Sequence, residues 1–306
     1  MKYFATLSNY CEAINIPPPR YPQFDIRSFA ENMSSVVDQM PAFRHAFYAI
    51  ALKVDGTGKA VSGHHADFPD GPVIFFNSPF QIISWDIAPD WEGYYLMFTQ
   101  DFIAQSAYFS ELLDNFPFLK LDKAIPFTVG EAEVNILLGI YEEIYKAYHS
   151  TDADKFAFIE TYTLLLLNYV KRFFQQQLSQ SDAQQALRSA DIKLASRYKS
   201  LIETQFRPDA VLDNPKLLHS TSYYAEVLHV HPNHLNAVVK GISGQTALQF
   251  IHQHILQLAK SQLLQTSLSI KEIAFKLHFD SPNNFSSFFK KHTQQTPGAY
   301  RKSVIL

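Results

Sequence analysis

The chain has 306 residues, 47% of them hydrophobic and 18% charged, with a formal net charge of −3. That length suits two domains better than one core, the composition is globular, and no apolar run reaches the roughly 18 residues of a membrane span. A single cysteine, Cys11, excludes an intramolecular disulfide framework and a cysteine-rich zinc site; the start lacks the basic opening and apolar stretch of a secretory signal, so a cytoplasmic protein without a membrane partner is expected.

From Phe43 to about Phe102 short apolar segments alternate with turn signals: "HAFYAIALKV", "GPVIFFN", "FQIISWDI" and "GYYLMFT". Period-two runs rich in Phe, Tyr, Ile and Val read as antiparallel strands, and a small β-barrel or jelly roll is their natural closure. "DGTG", residues 55–58, reads as a hairpin turn and not as a phosphate loop, because no helix follows it. His45, His64, His65 and Asp67 fall in this segment. A metal site would need two or three His and a carboxylate converging from neighbouring strands, and adjacent His64 and His65 point to opposite faces, so no metal and no cofactor is expected. Arg44, His45, His64, Trp85 and Tyr95 are the candidates to line a pocket for a small-molecule effector; a barrel filled by its own Phe side chains is the alternative.

Two helical stretches follow, Gly130 to His149 and Asp152 to about Gln177. Val134, Leu137, Leu138, Tyr141 and Ile144 recur at helical spacing in the first, and Phe156, Ile159, Thr163, Leu166 and Val170 in the second. "LLLLNYV" makes the second apolar nearly all round, which suits a helix that is sandwiched or shared with another subunit, so a homodimer through these helices is expected. The polar stretch Gln175 to Asp191 then marks a boundary. The expected division is a first domain over 1–180, a linker over 181–191 and a second domain over 192–306.

Charge distinguishes the two halves. Residues 1–187 carry 12 Lys/Arg against 22 Asp/Glu, and residues 188–306 carry 14 against 7. A basic half beside an acidic one suggests that the basic half meets a polyanion, most often nucleic acid. Nothing in it reads as a strand; helices are expected at about 192–206, 222–228, 232–242, 246–264, 270–277, 282–293 and from 297.

Within it a pattern occurs twice at an offset of fifty residues: "HPNHLNAVVKGISGQTA" from His231 and "SPNNFSSFFKKHTQQTP" from Ser281. In the second copy the short helix "IKEIAFKL" has an apolar stripe, the turn "HFDS" follows, Ser281 is placed to cap the next helix and Pro282 sits at its first position. Phe285, Phe288 and Phe289 bury one side of that helix and leave Asn283, Asn284, Ser286, Ser287, Lys290 and Lys291 outside. In the first copy Leu235, Val238, Val239 and Ile242 are inside; Asn233, His234, Asn236, Ala237 and Lys240 are outside. Each copy is a helix-turn-helix, over about 222–243 and 270–293, whose second helix enters a major groove with its early residues at base edges. Asn suits adenine and Lys suits phosphate or guanine. The helix between the copies, roughly 27 Å long, would hold two readers near the roughly 34 Å repeat of the duplex.

"SIKEIAFKLHFDSPNNFSSFFKKHTQQTPGAYR", "HPNHLNAVVKGISGQT" and "AKSQLL" resemble the double helix-turn-helix domain of the AraC/XylS family of bacterial transcription regulators. The resemblance implies an α+β two-domain protein: an N-terminal cupin-like β-barrel or jelly roll with dimerisation helices, and an all-α DNA-binding domain. It implies base readers at Asn233, Asn236, Ala237, Asn283, Ser286 and Ser287, with Lys240, Lys290 and Lys291 on phosphates. Ile255 and Ser287 stand where the family commonly has Arg, and His229, His278 and Gln294 where Gly is usual. The expected function is sequence-specific binding of double-stranded DNA to regulate transcription, effector-responsive and not enzymatic, with RNA polymerase as a further partner of an activator. Two other readings are a metal-dependent cupin enzyme with an accessory DNA-binding domain and a regulator gated by a protein partner. A DNA-repair methyl acceptor would need an exposed Cys.

Overall fold

The computed structural model describes residues 1–62, 71–79, 81–106, 109, 116–119, 126–180, 190–206 and 215–303. The chain divides into two compact units, Met1–Arg188 and Ser189–Leu306.

The first unit runs β1 (Lys2–Phe4), α1 (Leu7–Ala13), β2 (Phe24–Ser28), β3 (Gln39–His45), β4 (Tyr48–Asp55), β5 (Gly58–Ser62), β6 (Val73–Asn77), β7 (Ile83–Ile87), β8 (Glu92–Phe98), α2 (Gln100–Gln105), β9 (Phe127–Thr128), α3 (Glu131–His149) and α4 (Lys155–Gln180). Its strands form two sheets, in orders β1-β3-β7-β5 and β2-β8-β4-β6-β9. Among the described residues no strand pairing joins the two, so the described strands form two open sheets and not a closed barrel.

Strand β4 shows how the sheets are built. Tyr48, Ile50 and Leu52 point to one face, where they are buried with Val134, Leu137 and Tyr141 of α3. Ala49 and Ala51, on the other face, look toward the four-stranded sheet. Alternation is a property of the pleat, so one strand supplies a large-residue layer to the helices and a small-residue layer to the gap between sheets. Tyr141 fixes the helical layer further by donating its hydroxyl to the Ile50 carbonyl at 3.0 Å.

Two expectations need correcting. "DGTG" is no hairpin: β4 and β5 lie in different sheets, and the turn carries the chain across from one to the other. Gly58, at φ +115°, has the Ile87 Cα 2.4 Å from where a Cβ would sit, so the crossing leaves no room for a side chain. The strands also begin far before Phe43, since β1 pairs in parallel with β3, and β2 in antiparallel with β8. β2 hides from an apolar reading because two of its buried positions are Asp25 and Arg27. The Arg27 Nε donates to the Asp25 carboxylate at 2.7 Å, and the Tyr148 hydroxyl of α3 donates to its other oxygen at 2.6 Å. Burial raises the Asp25 pKa, and the Arg27 guanidinium and the two hydrogen bonds oppose that rise.

The second unit is helical throughout its described residues: α5 (Ala190–Gln205), α6 (Thr221–Val227), α7 (Pro232–Ser243), α8 (Ala247–Gln265), α9 (Ile270–Lys276), α10 (Pro282–Thr293) and α11 (Pro297–Ser303). One core serves all of it. Ile251, Ile255, Ala259 and Leu263 of α8 are buried together with Leu235 and Val239 of α7 and with Ile273, Phe285 and Phe289 of α9 and α10. Tyr198 of α5 donates its hydroxyl to the Ala247 carbonyl at 2.7 Å, and His219 reaches the Leu277 carbonyl through Nε2 at 2.9 Å, so bonds cross between segments distant in sequence.

Candidate functional site

The turns within the repeated motif explain why its sequence recurs. After α6, His229 adopts φ +57°; its N–H donates to the Glu226 carbonyl and the Val230 N–H to the Ala225 carbonyl. After α9, His278 adopts φ +62°, with its N–H on Phe275 and the Phe279 N–H on Ala274. Both are paired left-handed caps that close the last turn of a helix and redirect the chain, and both place an ordinary side chain where Gly is cheaper. The turn of the second motif holds one more residue, Asp280, before its Pro. His231 Nδ1 then accepts the Asn233 N–H, and the Ser281 hydroxyl accepts the Asn284 N–H.

At the far ends the correspondence is closer still. Gly244 and Gln294, at φ +78° and +62°, each donate N–H to the carbonyl of a lysine four residues back, Lys240 and Lys290, at 2.8 Å. The hydroxyl of Ser243 donates to Val239 and accepts the Gln245 N–H; that of Thr293 donates to Phe289 and accepts the Gln295 N–H. The sequence repeat is therefore a repeat of capping bonds as well as of apolar spacing.

The outer faces of α7 and α10 hold the side chains expected to read DNA. Asn233, His234, Ala237 and Lys240 are exposed on α7, and Asn283, Asn284, Ser287, Lys290 and Lys291 on α10. Asn236 differs. It is half-buried, and its side-chain oxygen accepts the N–H of Ala247, the first residue of α8, at 3.0 Å. The equivalent of Ala247 in the second motif is Pro297, which has no N–H to offer, so Ser286 has no such duty. Sequence alignment of the two motifs contains this contrast; treating both positions simply as outward readers missed it.

In the first unit a cavity of about 90 Å³ lies between the sheets. His45, Trp85 and Tyr95 line it, as do Ala51, Ala60 and Trp91. Arg44 does not: Phe43 and His45 of β3 face inward, and Arg44 points to the opposite side of the strand. His64, with His65 and Asp67, lies outside the described residues. Among the described residues no group of three or more His, Cys, Asp or Glu is placed to hold a metal ion. Cys11 is buried in α1, away from solvent.

Residues 224–303 match a protein family described as "Helix-turn-helix domain". The same part of the chain is 31% identical over 102 residues to the "Uncharacterized HTH-type transcriptional regulator YtdP" of Bacillus subtilis and covers 33% of this chain. It is 35% identical over 78 residues (26% of this chain) to that organism's "Bifunctional transcriptional activator/DNA repair enzyme AdaA". With "HTH-type transcriptional regulator GlxA" of Rhizobium meliloti it shares 31% over 114 residues, 37% of this chain. Residues 224–303 are a helix-turn-helix domain. The matched stretches amount to 12%, 37% and 34% of those three relatives' own lengths. Among solved structures, the C-terminal domain of AraT, a response regulator from Geobacillus stearothermophilus, is similar at 26% identity over 38% of this chain and 88% of that one, TM-score 0.32. ToxT from Vibrio cholerae, bound to (E)-4-(8-methylnaphthalen-1-yl)but-3-enoic acid, aligns over 91% of this chain and 98% of its own, at 12% identity and TM-score 0.34.

Two features of the helix-turn-helix domain concern its integrity more than its contacts. Ile255, in place of a commoner Arg, is fully buried in the α8 core. Arg301 of α11 donates to the carbonyls of Leu263 and Leu268 at 2.9 and 2.6 Å, which satisfies acceptors at the end of α8 and just beyond it.

Proposed function

We propose that the chain is a sequence-specific, effector-responsive transcription regulator that reads two successive major-groove segments of double-stranded DNA. The observation that carries this reading is the pair of helix-turn-helix motifs, alike down to their capping bonds and sharing one core through α8. Asn233, Ala237, Asn283, Ser286 and Ser287 are the base readers in this reading, and Lys240, Lys290 and Lys291 contact phosphates. Residues 1–180 sense and dimerise, 181–191 connect, and 192–306 bind DNA. Ile136, Phe158 and Leu165 of α3 and α4 are apolar and more than 40% exposed, which supports pairing of two copies there. An activator of this design would also meet RNA polymerase.

The test is selection of binding sites from random duplex DNA with the full-length protein, followed by affinity measurements on the recovered site. A bipartite site with elements one helical turn apart is expected. Asn283→Ala should lose about 1 to 3 kcal/mol of discrimination at one base pair. Equal losses on selected and random DNA would contradict the assignment of Asn283 as a reader.

A further inference from the structure

The cavity between the sheets exists because three of its walls are alanine: Ala49 and Ala51 on β4 and Ala60 on β5. Large side chains at these inward positions would close it. The two indoles around it have their polar ends engaged elsewhere, and the Tyr95 hydroxyl is engaged as an acceptor. Trp85 Nε1 donates to the Val37 carbonyl and Trp91 Nε1 to the Thr57 carbonyl, each at 2.8 Å, and the Tyr95 hydroxyl accepts from Asn32 Nδ2 at 3.0 Å. Ser62 is also committed, to Phe76 and Asn77. Trp85, Trp91 and Ser62 therefore offer the cavity mainly their hydrocarbon, and the Tyr10 and Tyr95 hydroxyls are polar groups on its wall.

His45 differs from them in having buried polar atoms left unsatisfied. His45 is 2% exposed, its ring stacks on Phe47 at a centroid distance of 4.0 Å, and neither ring nitrogen makes a well-formed hydrogen bond, the Phe47 backbone being only a weak neighbour of the ring. Leaving a buried imidazole's nitrogens unsatisfied is unfavourable, and a bound molecule that meets one of them recovers part of that cost. Among the described lining residues there is no Asp, Glu, Lys or Arg. Burial lowers the His45 pKa from 6.5 to about 3, against a weaker opposing effect of the Phe47 backbone, so the ring is neutral near pH 7. A charged ligand would leave water without a partner of opposite charge.

We infer that this cavity binds a compact, uncharged and largely apolar molecule, about one ring in size, through a hydrogen bond to His45. The size is bounded by comparison with a dry apolar cavity of about 150 Å³ that holds benzene in another protein: at about 90 Å³ this cavity admits at most one small ring. This inference rests on the reading of the first unit as the sensor only for its regulatory consequence; the binding itself is independent of DNA.

The experiment uses the full-length protein at pH 7.5 and three probes of similar shape: phenol, toluene and benzoate. Calorimetric titration should show phenol binding one per chain, at least tenfold tighter than benzoate and several-fold tighter than toluene. His45→Leu should abolish the preference of phenol over toluene, and His45→Gln should restore part of it. Ala60→Leu should abolish binding of both neutral probes in a protein that melts cooperatively. Benzoate binding as well as phenol, no binding of any probe, or unchanged binding by Ala60→Leu would each overturn the inference. If phenol binds as expected and leaves DNA affinity and transcription unchanged, the ligand site stands and the effector-responsive reading fails.

Discussion

Replacing Asn236 with alanine separates holding from reading. Its side-chain oxygen accepts the Ala247 N–H at 3.0 Å, while the rest of the α8 start is provided for: the Thr246 hydroxyl accepts the Gln249 N–H and the Gln249 side chain accepts the Thr246 N–H. Asn236→Ala therefore orphans one donor at a half-buried helix end, at a cost of about 1 kcal/mol and no more than about 2. For a unit of this size that is a midpoint shift of about 4 °C in the transition of the C-terminal unit. Calorimetry of the full chain measures it. Asn233→Ala, on the exposed side of the same helix, should change stability by less than about 0.5 kcal/mol. Ser286→Ala is the internal control, because Pro297 presents no N–H to lose. The reasoning is refuted if Asn236→Ala melts with the parent protein while discrimination falls at one base pair, or if Ser286→Ala destabilises as much.

Three further outcomes follow. The buried His45, with its folded pKa near 3 against about 6.5 unfolded, favours the folded state most above pH 6.5, and this contribution is lost as pH falls through the window down to about 3. His254, lowered to about 4 by burial, acts in the same direction. Melting curves should therefore show a stability loss on the order of 2 kcal/mol per group between pH 6.5 and 5, and His45→Leu should have the shallower slope. Lys290→Ala should weaken binding to selected and random DNA alike and reduce the salt slope by about 1, read from affinities at several salt concentrations. His278→Gly should raise stability by about 1 kcal/mol in denaturant titration by relieving a left-handed conformation at φ +62°; a loss of stability would mean that the imidazole's contacts with Phe206 outweigh that strain.

The C-terminal unit was legible because its signals are local. Caps, the Pro at each first helical turn and the i, i+3, i+4 apolar spacing all lie within about a dozen residues of the structure they specify, and repetition displays them twice. The left-handed positions at His229, His278 and Gln294 were legible as departures from Gly. The first unit was only partly legible because its determinants act across long separations. β1 has three residues and is defined by pairing with β3 some forty positions later. β2 buries an Asp and an Arg that satisfy each other and Tyr148, so its polar letters conceal an interior strand. The role of Asn236 depends on a partner eleven residues away. The cavity depends on alanines whose facing cannot be known until two sheets, rather than one barrel, are in place.

Sharing one core through α8 makes the interval between the two recognition helices a property of the protein rather than of its target. A binding site can then change its bases one at a time, each at a bounded loss, but it cannot drift in spacing. An insertion of about five base pairs between the two elements turns the second to the far side of the duplex. For a site with correct phase, the second helix is already aligned when the first has docked and searches almost no space, so two weak readers act at a high effective concentration of each other. In the proposed reading, the domain measures helical phase before it recognises sequence.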